Sequence, residues 1–157
     1  PRLATWGEGR RVPKLIVATQ TRVVEVVVDV EGHWWPSVPT IAVVARGADA
    51  DELWRLAAVL SAPPVSAWAL DHFGGAALSG DAIKLSAAQV LTIPLPTVEA
   101  AWRRGASAAE AAQRAAEGGD GEAWRAALVE LGSAMTEAYG VGSDVTDWWI
   151  DRLPPWR

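Results

Sequence analysis

Cysteine is absent from this chain, and lysine occurs only at Lys14 and Lys84. Without cysteine there are no disulfides and no thiolate metal sites, and a reducing cytoplasm is compatible with the composition. No apolar run approaches the roughly 18 residues of a membrane span, and no secretory signal pattern opens the chain. The two histidines, His33 and His72, have no neighbouring ligand set, so no metal site is expected. No serine, histidine and acid stand in a motif context for nucleophilic catalysis. The formal net charge of −5 argues against a free-standing nucleic-acid binder, because non-specific affinity comes from neutralising phosphates.

What is present points to an ordered protein. Half of the 157 residues are hydrophobic, enough for a sizeable core, and the length suits one domain or one domain with a helical appendage. The first residue is Pro1 rather than Met, which predicts a fragment or processed product with functional parts upstream. The positive charge is unevenly spread. Residues 1–22 carry Arg2, Arg10, Arg11, Lys14 and Arg22 against Glu8 alone, so a local basic edge is expected on an otherwise acidic chain.

The first section reads as strands. Lys14 to Thr19 is a short run of β-formers after Pro13. Arg22 to Val30 alternates, placing Val24, Val26, Val28 and Val30 on one face and Glu25 and Asp29 on the other. The tight spacing predicts a hairpin with Gln20-Thr21 near its tip, and Glu31-Gly32 the next turn. A third strand, Thr40 to Ala45, follows the aromatic loop His33-Trp34-Trp35-Pro36. Three strands with one apolar face need a cover, which a helix from Asp49 can supply, with Asp49 or Asp51 as its cap.

Leu53, Leu56, Ala57 and Leu60 fall at helical spacing. Ser61-Ala62 and Pro63-Pro64 stop that helix, and the prolines suit the first turn of another, Val65 to Phe73, which ends at Gly74-Gly75. A Gly80-Asp81 turn, the segment Ile83-Lys84-Leu85, a short Ser86-led helix and the stop Ile93-Pro94-Leu95-Pro96 complete residues 1–96 as one unit. Residues 97–157 read as a helical tail. One segment begins at Thr97-Val98-Glu99 and contains Trp102, and Ser107 with Glu110 makes a capping box for another. Gly118 to Gly121 is a linker. Glu122 to Tyr139 is the best helix, with Trp124, Leu128, Leu131 and Met135 on one stripe. Ser143-Asp144 opens a last helix through Trp148-Trp149-Ile150. The expected class is mixed α/β (α+β): a small, mainly antiparallel sheet covered by helices, followed by the helical tail.

Two places imitate catalytic motifs of S-adenosylmethionine-dependent methylation. Tyr139-Gly-Val-Gly-Ser143 looks like a cofactor-binding glycine turn, but it follows a helix instead of a strand and is explained as a C-cap and the next N-cap. Leu153-Pro-Pro-Trp156 looks like the Asn-Pro-Pro-aromatic motif that holds a flipped adenine, but leucine offers an amine neither donor nor acceptor. No residue is therefore assigned to catalysis or to cofactor binding.

Most of the ten tryptophans occupy helix stripes, and Trp54, Trp68, Trp102, Trp124 and Trp148 read as core or inter-helix contacts. Trp34 and Trp35 sit in a turn. There one ring packs under the sheet while its neighbour covers an edge, or the pair contacts nucleic acid. Arg10, Arg11, Lys14 and Arg22, with polar Thr19, Gln20 and Thr21, form the better DNA candidate, since Arg and Lys suit phosphates and Gln or Arg read base edges. Taken singly, each reads as a solvated strand end. Lys84 belongs to the same set.

The order helix, proline break, helix, loop, Ile83-Lys84-Leu85-Ser86 and Ile93-Pro94-Leu95-Pro96 resembles the C-terminal specificity domain of the TaqI-like and Eco57I-like DNA adenine-N6 methyltransferases. The likeness spans about residues 13–96 and includes the Pro13-Lys-Leu-Ile-Val17 opening and the strand ending Asp29-Val-Glu-Gly32. Leu60-Ser61-Ala62 stands where the family has Leu-Asn-Ser, and residues 97–157 map onto nothing in it. The resemblance implies a bacterial parent in a restriction-modification or phage-defence setting. Its missing N-terminal catalytic domain would bind S-adenosylmethionine, and this region would select the target DNA. The rival expectation is a structural or protein-interaction module. On that view Trp148 and Trp149 form an exposed apolar patch that docks on a partner.

Overall fold

Pro13 removes a backbone donor just before the chain becomes extended, and β-branched residues then carry it through a three-stranded sheet. The computed structural model describes residues 8, 10–75 and 81–156. Arg2 of the basic arm and Gly80 of the expected turn lie outside them. Strand β1 (Lys14–Ala18) is central, flanked by β3 (Val26–Asp29) and β4 (Thr40–Val43), both antiparallel to it. Between β1 and β3, β2 (Gln20–Thr21) leaves the sheet and pairs with β5 (Ile83–Lys84) as a separate two-stranded ribbon. The expected hairpin forms, with Val17 opposite Val26, and Gln20-Thr21 lie in its connection.

The alternation read over Arg22 to Val30 holds within β3, but that strand covers only Val26–Asp29, and before it the neighbours Val23 and Val24 are both buried. Leu15, Val17, Val24 and Val28 are buried beneath the helices, whereas Ile16, Val27 and Ala42, matched across the register, occupy the opposite, more open face. Asp29 departs from the expectation of a polar outer position. It is on the open face by register, yet only 3% exposed, because Lys14 sits directly opposite and neutralises it.

Helix α1 (Ala50–Leu60) covers the buried face and begins as expected. Asp49 and Glu52 form a reciprocal capping box, each side chain accepting from the other's backbone N–H. Pro63 and Pro64 occupy the first turn of α2 (Pro63–Phe73), where the missing N–H groups have no helical role. Ser66 of α2 is fully buried and accepts from Val24 N at 3.0 Å, tying helix to sheet. Helix α3 (Ala87–Val90) is the Ser86-led turn, capped by Ser86 and Gln89.

Helices α4 (Glu99–Glu117) and α5 (Gly121–Tyr139) form an antiparallel pair, and α6 (Asp144–Ile150) closes the fold. Only one helix spans 99–117. The hydroxyl of Ser107 donates back to Arg103 O, one turn earlier, so the apparent capping box is interior to a continuous helix. Buried Ala101, Ala108, Ala109 and Ala112 let the two backbones approach, and Gly105 is closest: a Cβ there would lie 2.3 Å from Met135 Sδ. The α5 stripe is as read, with Leu128, Leu131 and Met135 buried and Trp124 partly so. Gly140 ends the helix at φ 66°, a left-handed cap that favours glycine.

These later helices share one apolar cluster with the sheet. Gln113 of α4 completes the outer edge of β3, donating to Val28 O and accepting from Val28 N, each at 2.8 Å. A side-chain amide thus takes the place of a neighbouring strand. The class is mixed α+β, with a small antiparallel three-stranded sheet packed against helices and long C-terminal helices after it. Among the described residues, no helix is long and apolar enough to cross a membrane.

Candidate nucleic-acid interface

The residues expected to form one basic edge are divided between the two ends of β1. Arg10, Arg11, Lys14, Trp34 and Trp35 gather at its start. Thr19, Gln20, Thr21, Arg22 and Lys84 gather beyond its end. At roughly 3.3 Å per strand residue, the two groups stand about 20 Å apart.

The first group is built around a buried ion pair. Lys14 Nζ donates to Asp29 Oδ2 at 2.5 Å and to Val12 O at 3.1 Å, and the lysine is only 1% exposed. Lys14 therefore does not reach a phosphate, which corrects its assignment as a DNA contact. The same carboxylate accepts from His33 N at 2.9 Å and Trp34 N at 2.8 Å. Burial alone would raise the pKa of Asp29, but the bonds from Lys14 and the two backbone N–H groups outweigh it and hold the carboxyl below its ordinary value. One charged pair thus fastens both the arm at Val12 and the aromatic loop. Gly32 allows them to meet: its φ is +72°, and a Cβ there would fall within 2.7 Å of the Val12 backbone.

The loop so held presents both tryptophans. Trp34 is 43% and Trp35 50% exposed, so neither ring packs under the sheet. Arg11, itself exposed, places its guanidinium 5.7 Å from the Trp35 ring centre. Charge differs across the pair. The hollow beside Trp34 is lined by Glu31, Glu110 and Glu117 with Arg114, while Trp35 faces Arg11. A polyanion would meet the Trp35 side.

The second group is the β2–β5 ribbon. Gln20 lies opposite Lys84 and Thr21 opposite Ile83, so the fold brings together residues more than 60 positions apart, and Gln20, Thr21 and Lys84 among them are candidates. Gln20, Lys84 and Arg22 are exposed, and Arg22 approaches Asp81 at 3.3 Å. Thr19 and Thr21 spend their hydroxyl protons on the turn, donating to Pro39 O and Val23 O. They shape this end and offer a ligand only acceptor capacity. Sequence reasoning missed the role of Asp29, whose only signal was an acid directly across a register set by the valine alternation.

His72 Nδ1 lies 2.8 Å from Trp68 O, in a ring cluster with Trp68 and Phe73. No group of three or more His, Asp or Glu side chains suited to a metal ion occurs among the described residues. The Tyr139 to Ser143 glycines end one helix and lead to the next, and Trp156 stacks against Trp124. Trp149 is 1% exposed and Trp148 is covered in part by Arg152, so the expected apolar docking patch at the last helix is overturned.

Comparison with protein-family models, curated proteins and solved structures found no match to this chain.

Proposed function

We propose that this chain is a non-catalytic DNA-recognition region of a bacterial adenine-N6 methyltransferase, acting in the cytoplasm beside a catalytic domain that this sequence does not contain. The observation that carries the reading is the loop of Trp34 and Trp35, held half-exposed by a buried ion pair and accompanied by Arg11. Large apolar rings fixed in solvent are costly unless something covers them. The resemblance across residues 13–96 supplies the kind of partner, and that segment contributes to both contact ends, with Arg10 and Arg11 just before it.

In this reading Arg11, Arg22 and Lys84 contact phosphates and set register, while Gln20 reads a base edge from the ribbon. Trp35 packs on an exposed base or sugar. S-adenosylmethionine would supply the transferred methyl group in the catalytic domain; this chain's part is to place the duplex. The net charge of −5 keeps non-specific affinity low, which suits a region that works in cis with a larger protein.

Selection from a random-sequence duplex library on the immobilised chain tests the proposal. A short enriched motif with salt-sensitive binding is the expected result; enrichment no greater than on bare matrix would overturn it. The acidic charge and the exposed Val27 and Val38 favour a second reading, a protein-interaction module. That module would bind its partner with little dependence on salt.

A further inference from the structure

Where the open face of the sheet meets the later helices, a cavity of about 300 Å³ is walled by Val27, Trp124, Leu128 and Leu153. That volume lies at the low end for small-molecule sites, roughly 300–1,000 Å³. Three polar side chains line it, Glu25, Thr40 and Ser61; the Thr40 hydroxyl donates to Ser37 O, whereas neither Glu25 nor Ser61 has a side-chain hydrogen bond or ion pair among the described residues. Among the described residues, no lysine, arginine or histidine contributes to the wall.

We infer that this cavity binds a compact organic cation, an alkylammonium with a short hydrocarbon body, held by the Glu25 carboxylate and the Ser61 hydroxyl. The chemistry follows from the wall. A carboxylate set among apolar groups without a counter-charge is in an unfavourable place, and an incoming cation relieves it. An anion would be repelled, and a neutral apolar guest would leave the carboxylate without a partner. Burial raises the Glu25 pKa above its ordinary value, in keeping with an unanswered charge. The hydrocarbon body would replace water against Trp124, Leu128 and Leu153. The site is separate from the Trp34–Trp35 loop and does not depend on the DNA reading.

The full chain would be titrated with 3-methylbutylammonium and, separately, with the neutral isostere 3-methylbutan-1-ol, following the Glu25 amide and Trp124 indole signals by NMR. Saturable shifts are expected for the amine, with the alcohol at least about tenfold weaker, since charge-assisted hydrogen bonds are worth that much. In Glu25→Gln, which conserves shape, the advantage of the amine should disappear while the rest of the spectrum is unchanged. No saturable shift with the amine, or equal affinities for amine and alcohol in the native chain, would overturn the inference. The native comparison stands even if the variant misfolds.

Discussion

At the start of β1 a lysine is buried against an aspartate and holds a loop in place, while beyond its end Lys84 stands in solvent across from Gln20. Both lysines belong to the same basic edge on paper, and the fold gives them opposite work. Lys14 fixes geometry and touches no ligand; Lys84 is free to touch one and fixes almost nothing. Basic residues near a strand end therefore divide by what lies across the register. Lys14 has an acid there and Lys84 has an amide.

Stability measurements break or sharpen that contrast first. Asp29→Ala should cost about 3–5 kcal/mol in urea unfolding, because it strands the Lys14 charge and the His33 and Trp34 N–H groups. Lys84→Met should stay within about 0.5 kcal/mol. Equal losses would erase the distinction. The acidity of Asp29 adds a pH signature. Its folded value is depressed, so its contribution is present above the ordinary aspartate range and fades as pH falls through it. The Asp29→Asn variant should lack that acid-side slope.

The next largest effect is on binding. Trp35→Ala should weaken DNA binding roughly tenfold, in line with about 1–3 kcal/mol per stacked base, with unfolding nearly unchanged. Trp34→Ala should weaken it less, because its surroundings are acidic. Smaller still is the charge effect. Arg11→Glu, Arg22→Glu and Lys84→Glu should each lower the salt slope of DNA binding by about one, without loss of fold. Charge reversal at Lys14, which the bare sequence places in the same set, would instead unfold the corner and report on nothing else.

Glu25→Gln is the mildest case, read in thermal unfolding. The folded state raises the Glu25 pKa, so ionisation lowers stability as pH climbs through and above the usual glutamate value. The variant should therefore be more stable than the native chain at neutral pH. Below that range, where Glu25 is protonated whether folded or not, the difference should vanish.

Periodicity and punctuation revealed the elements well where a local signal decides them. The valine alternation, Pro63-Pro64, the Asp49 cap and Gly140 act within a few residues, and each does in the fold what its chemistry requires. Ser107 shows the limit: the same spacing makes a cap at a helix start and a back-bond inside one, and tertiary contact decides between them. The site was harder to read. Lys14 with Asp29, Gln20 with Lys84, and Gln113 with β3 are partnerships made across long sequence separations. Trp149 is similar, since its seven-residue helix gave no sign of which of two neighbouring rings the core would take.

The central claim, that DNA meets the Trp34–Trp35 loop and the β2–β5 ribbon, is tested most directly by an NMR footprint of a selected duplex on the full chain at low salt. The expected footprint covers the Trp34 and Trp35 indoles, Gln20 and Lys84, and spares the exposed faces of α4 and α5. Shifts confined to those helices, or none at either end of β1, would contradict it.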